Sequence, residues 1–274
     1  MPKLLIQLFC LMLLAVSSAA AAPRAELWAR WAAHDPAAMR QVDHGAWEAF
    51  LLRYLRIGPD GVHGIPYGLV SEAARAELDA YLAELAGVEI GAYNRAEQMA
   101  FWINLYNALV VRLVLEHYPV GSIRDIAPAP GDALDGPWAK KLIEVDGQAL
   151  SLSDIQHRIL RPIWADPRVH YALSCGAVGC ANLQPEPYRG DQLERQLSAA
   201  AMAYINDPRC IEIDQGQLFV SSLFRWFKDD FGGTDQGVIN HLMAYAKPRL
   251  AMKLQHFERI AGDGFDWRLN DATP

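Results

Sequence analysis

A chain of 274 residues in which 52% of the side chains are hydrophobic, with a net charge of −7, has ample material for a large core. It has no basic surplus or basic cluster with which to grip a nucleic acid. The absence of internal repeats, low-complexity tracts and charge blocks excludes a solenoid and a disordered chain.

The first residues read as an export leader. Lys3 precedes an apolar run over residues 4–16, broken only by Gln7, and Ser17-Ser-Ala-Ala-Ala-Ala22 then offers small-residue cleavage points. That run is too short to span a bilayer, and Cys10 lies inside it, upstream of the small residues, so it is not read as a lipid-attachment site. The expectation is a signal peptide over residues 1–22 and one globular domain over 23–274, periplasmic or secreted, with no membrane span.

Residues 24–33 and 44–54 have the pattern of amphipathic helices, and 71–86 carries Ala74, Leu78, Leu82 and Leu85 at helical spacing. Residues 94–117 form a long apolar helix that Tyr118-Pro119 ends. Asn104 and Asn107 sit one turn apart within it. Buried amides need partners, so they either bond loop backbone and pin the fold, or line a pocket and donate to a substrate carbonyl. Ala127-Pro-Ala-Pro-Gly-Asp132 separates this helical half from a mixed half and reads as a loop within one domain.

Residues 141–145 and 148–150 pair across Asp146-Gly147, a strong hairpin turn. Ser151-Leu-Ser-Asp154 opens the next helix as a capping box, with His157 inside it. Asp154, three residues before His157, is placed to hold the imidazole, whereas Gln156 faces away unless the helix is distorted. Histidine is the side chain poised to exchange protons near neutral pH.

Residues 169–173 read as a strand, with Pro167 at its start. Strict alternation then puts Cys175 on one face with Val169, Tyr171 and Leu173, and turns His170 away from that thiol. Cys180 follows a Gly-rich turn and is placed at a helix start, where the dipole would lower its pKa. Beyond it come a helix over 192–205, a hairpin of 210–213 and 217–220 around Gln215-Gly216, helices over 223–227 and 236–246, and a last strand at 257–260. Helices first and hairpins later give an α+β fold, a helical N-terminal half packed on a small antiparallel sheet.

Once the leader is removed, Cys175, Cys180 and Cys210 remain. The C-x4-C pair reads as a disulfide, which an oxidising compartment favours, or as a nucleophile with its neighbour. Zinc would need a second metal-type pair, which is missing, so no metal and no cofactor are expected.

Six ordered segments resemble the family called domain of unknown function 547. They are Ala100-Phe-Trp-Ile-Asn-Leu-Tyr-Asn-Ala-Leu109, Leu150-Ser-Leu-Ser-Asp-Ile-Gln-His157, Asp166-Pro-Arg-Val-His-Tyr-Ala-Leu-Ser-Cys-Gly-Ala-Val-Gly-Cys180, Gln192-Leu-Glu-Arg-Gln-Leu197, Phe224-Arg-Trp-Phe-Lys-Asp-Asp-Phe231 and Phe265-Asp-Trp-Arg-Leu-Asn270. The resemblance covers about 95–271. It implies a thiol-hydrolase-like scaffold and a site of Cys175, Cys180 and His157. Two positions depart from the family's pattern: Gln156 stands where Glu is usual, and Ala181 where Pro is usual.

The enzyme expectation is therefore a cysteine–histidine hydrolase or acyl transferase acting on an amide or thioester of a small molecule or peptide. Cys180 or Cys175 attacks, His157 serves as base and then acid, Asp154 or Gln156 orients it, and Asn104 bonds the transition state. The other expectation is a non-catalytic binding or scaffold protein with a structural Cys pair. The leader yields a direct test: N-terminal sequencing of exported protein should find a start between Ala21 and Pro23, and an intact Met1 on exported material would remove the leader reading.

Overall fold

A computed structural model describes residues 23–126 and 136–274. The leader, Cys10 and the Ala127-to-Asp132 boundary lie outside the described residues. The first expected helix shrinks to a single 3-10 turn at Ala29–Ala32. Helix α1 (Gly45–Tyr54) follows, then a short antiparallel ribbon of β1 (Arg56–Ile57) and β2 (His63–Gly64) that sequence patterning did not show.

Helix α2 (Glu72–Ala86) starts where Ser71 accepts from the Ala74 N–H at 3.2 Å. Helix α3 (Arg95–His117) starts in the same way, with Asn94 accepting from the Glu97 N–H at 3.0 Å. Glu97 is itself buried and accepts from the backbone N–H groups of Val42 and Gly190, so the start of α3 is tied to two distant loops. By length and composition α3 could cross a membrane, but 94% of its most apolar stretch lies inside the protein. It is the axis of the first of two apolar clusters, packed against α1, α2 and the hairpin of β3 (Lys141–Val145) and β4 (Gln148–Ser151).

The two amides inside α3 hold backbone. Asn104 donates to the Tyr188 carbonyl at 2.8 Å and accepts from the Tyr188 N–H at 2.9 Å. Asn107 donates to the Ala172 carbonyl at 2.9 Å and accepts from the Ser174 N–H at 2.8 Å. Each amide imitates a neighbouring peptide and completes a two-bond ladder with an irregular segment.

The second cluster forms from α6 (Leu193–Ile205), β5 (Ile211–Asp214), β6 (Gln217–Ser221), α7 (Leu223–Trp226), α8 (Asp235–Tyr245) and α9 (Pro248–Leu254). Both expected hairpins are present. Their turns have positive φ at Asp146-Gly147 and at Gln215-Gly216, the twist that suits a two-residue connection. The architecture is α+β. Its largest sheet is mixed, because the last strand is β7 (Gly262–Gly264), parallel to β6, rather than a strand at 257–260.

The largest local correction is at residues 169–173. This is not a strand but a short helix, α5 (Val169–Ala172). Asp166 accepts from the Arg168 N–H at 2.9 Å and pairs with its guanidinium, while Pro167 supplies a pre-set helical φ. The His170 N–H then bonds the Pro167 carbonyl. Local turn chemistry overrides the β-forming side chains.

Removing either amide of α3 should destabilise the protein. Asn107→Leu strands a buried carbonyl and a buried N–H, which costs about 2–4 kcal/mol; Asn104→Leu should cost a similar amount. Urea unfolding of both variants measures this, and midpoints equal to that of the parent protein would refute the clamp role.

Candidate functional site

A cleft lies where the two apolar clusters meet. It encloses about 660 Å³, including solvent at its mouth. Its wall includes Gln156, His157, His170, Cys175 and Cys180, together with a set of aromatic rings.

The β3–β4 hairpin delivers the chain into the first wall. The Ser151 N–H donates to Asp154 Oδ2 at 2.9 Å and the Asp154 N–H donates to Ser151 Oγ at 3.1 Å, which realises the capping box. Asp154 also receives Lys141 Nζ and, at 3.2 Å, Arg158. Burial works against its ionisation, but the bonds from Lys141 and Ser151 outweigh it and hold the carboxyl below its ordinary range. Asp154 therefore faces the hairpin, not His157, and the orienting role expected of it is not seen.

From Asp154 to Leu160 the helix is a π-helix, before the regular turn α4 (Arg161–Trp164). Its bonds close over five residues, as from the Arg161 N–H to the Gln156 carbonyl. The wider turn brings Gln156 onto the same wall as His157, the distortion under which Gln156 would join the site.

His157 is buried, with Nδ1 3.1 Å from Arg161 Nη1. A guanidinium has only donors, so Nδ1 accepts and neutral His157 keeps its proton on Nε2. Arg161 continues to Asp230 with two parallel bonds, Nε to Oδ2 at 2.6 Å and Nη2 to Oδ1 at 2.9 Å. Asp230 Oδ2 also lies 2.7 Å from His170 Nε2. Burial opposes charge on Asp230, yet the bonds from His170 and Arg161 prevail and keep it ionised far below the usual carboxylate range. An ionised carboxylate only accepts, so His170 carries its proton on Nε2, and its buried Nδ1 has no hydrogen-bond partner among the described residues.

Burial, the largest cause in both cases, pushes the two imidazoles down, His157 to about 3 and His170 in the same direction against the pull of Asp230. Both are neutral at pH 7. Phe227 packs against the pair, stacked on His170 at 4.2 Å between ring centres and 5.8 Å from His157, with the Arg161 guanidinium 5.0 Å from the same ring.

Past α5 the chain extends under the grip of Asn107 and reaches Cys175. Cys175 and Cys180 are joined by a disulfide with Cα atoms 5.8 Å apart, and among the described residues Cys210 is the free, buried thiol. Gly176 turns the loop at φ +79°, a conformation few other residues adopt. At Gly179 a Cβ would come within 2.8 Å of the Asp266 backbone nitrogen, so the segment after β7 packs directly on the loop. That segment also accepts from the Val178 and Gly179 N–H groups through the Arg268 and Asp266 carbonyls. Cys180 ends this turn and is followed by irregular chain, so it has no helix dipole behind it.

The structure thus brings Cys175, Cys180, His157 and Gln156 to one cleft and leaves Asp154 and Asn104 outside its wall. Patterning missed His170, Arg161 and Asp230. His170 was turned away by an assumed strand. Arg161 and Asp230 had one visible signal, their place beside or within the segments that carry the family resemblance. Among the described residues no group of three or more His, Cys, Asp or Glu side chains is arranged to hold a metal.

Residues 90–205 match the model of a family described as "Protein of unknown function, DUF547". The likeness to DUF547 is to this segment, less than half of the chain. The match spans α3, the capping box, both cysteines and α6, whereas Asp230 and the aromatic segment after β7 lie beyond it. No curated protein and no solved structure matches the chain.

The depressed His157 has a consequence for stability. A histidine with a folded pKa below its unfolded value of about 6.5 takes up its proton on unfolding. Its contribution is complete above about pH 6.5 and is lost as pH falls toward about 3. Stability should therefore decline with acidification through this window, and His157→Gln should show a shallower decline. Urea midpoints at several pH values give the comparison, and equal slopes would contradict the buried neutral imidazole.

Proposed function

We propose that the cleft is a cysteine–histidine acyl-transfer site, hydrolysing or transferring an amide or thioester once the Cys175–Cys180 bridge is opened by a dithiol reductant. The observation that carries the reading is the His170–Asp230 pair, with its unpartnered Nδ1, in the same wall as both sulfurs. This replaces His157 as the base.

In the proposed sequence, His170 Nδ1 takes the thiol proton and Asp230 stabilises the resulting imidazolium through Nε2–H. The thiolate attacks the substrate carbonyl, and the oxyanion that forms accepts from His157 Nε2–H. Arg161 fixes that donor by occupying His157 Nδ1. The intermediate expels the amine or thiol, which receives the proton from His170, and water or another acceptor then releases the acyl group by the reverse steps. Gln156 is a neutral partner for the substrate on the same wall. The apolar leader and the bridge support an exported protein, kept oxidised at rest.

The closed bridge also favours a second reading, a binding or scaffold protein in which the pair is structural. Closing so short a loop contributes on the order of 2 kcal/mol by chain entropy.

The pH profile of thiol alkylation in reduced protein separates the two. A thiol paired with His170 should react well below the ordinary pKa of about 8.5, and His170→Ala should move the profile upward. His157→Ala should leave the profile in place and lower turnover by about 10²–10³. Cys175→Ala and Cys180→Ala decide which sulfur attacks. A profile near 8.5 that ignores His170→Ala would end the nucleophile reading in favour of the structural pair.

A further inference from the structure

The wall of the cleft has a chemical character that the reaction alone does not require. Among the described residues that form it, none is Asp, Glu, Lys or Arg. Arg161 and Asp230 are spent on each other behind the histidines, and the Arg124 guanidinium lies 5.2 Å from the Trp267 ring centre, outside the wall. A carboxylate or ammonium entering would lose its hydration and meet no counter-charge among the side chains of the wall itself.

Three rings, Trp226, Phe265 and Trp267, pack on one another with centres 4.6–5.5 Å apart and remain only partly buried. They join two clusters, Trp226 packing against the second and Trp267 against the first. Trp138 extends the row, 6.4 Å from Trp267, and its buried Nε1 has no hydrogen-bond partner among the described residues. The half-exposed Trp226, Phe265 and Trp267 rings, with tilted neighbours, offer faces and edges to a further flat ring.

We infer that the group seated in this cleft is an uncharged aromatic acyl group, held by the Trp138, Trp226, Phe265 and Trp267 rings beside the histidines. This deepens the acyl-transfer reading and rests on it for the word acyl; the recognition itself needs no catalysis.

The test uses the full chain with its disulfide intact, so that no turnover intervenes. N-methylbenzamide, N-methylhexanamide and N-methylbenzamides bearing a para carboxylate or a para aminomethyl group are titrated at pH 7, following the indole N–H resonances. The expected result is saturable binding of N-methylbenzamide with shifts at Trp138, Trp226 and Trp267. Both charged analogues should bind at least about tenfold more weakly, and the alkyl amide at least about threefold more weakly. Trp267→Ala should weaken N-methylbenzamide at least about fivefold and Trp267→Phe should restore most of it. If Trp267→Ala does not fold, Phe265→Leu serves in its place. Absence of binding, charged or alkyl analogues equal to the benzamide, or indifference to both ring variants overturns the inference. Intact binding without acyl turnover after reduction would instead count against the reaction and leave the recognition standing.

Discussion

One carboxylate, Asp230, organises the centre of this protein. It receives both arms of Arg161 and the Nε2–H of His170, and through Arg161 it also determines which nitrogen of neutral His157 carries the proton. A buried ion pair with both partners present costs little net free energy, but the loss of one partner leaves a charge stranded. Arg161 and Asp230 therefore form an all-or-none unit. Its effect is to hold two neutral imidazoles with opposite polarity, one presenting a lone pair and the other an N–H. Two identical side chains acquire different chemistry from what stands behind them.

Much of the frame was legible in the sequence because it rests on local rules. The Asp146-Gly147 and Gln215-Gly216 turns, the capping box of Ser151 and Asp154, and the uniformly apolar run of α3 each have a mechanism that acts within a few residues. An amide inside an apolar helix must find partners, so fold-pinning was one of two roles open to the buried Asn pair, the other being a pocket; the choice, and the partners Tyr188 and the Ala172-to-Ser174 backbone, required the tertiary structure.

The site was less legible, for physical reasons. Residues 169–173 alternate as a strand would, but one turn of helix is too short to establish a period of its own, and Asp166-Pro167 decides the outcome. The π-helix at Asp154–Leu160 leaves no mark in composition, yet it moves Gln156 onto the wall and leaves Asp154 facing the hairpin. Asp230 stands 60 residues from His170, a pairing that no local rule encodes.

The beginning of the described chain has a practical bearing on all work with this protein. The Pro23 carbonyl accepts from Arg161 at 2.7 Å, Pro23 lines the cleft, and the Glu26 and Trp28 N–H groups bond the carbonyls of His157 and Arg158. A purification tag or reporter fused ahead of Pro23 would emerge beside the cleft, pull on the arginine that sets the imidazoles, and obstruct whatever enters. The other end, at Pro274, borders a separate groove that shares no residue with this one. Fusions, surface immobilisation and labels belong on the Pro274 side, and a preparation tagged directly ahead of Pro23 that binds nothing would be reporting on its tag.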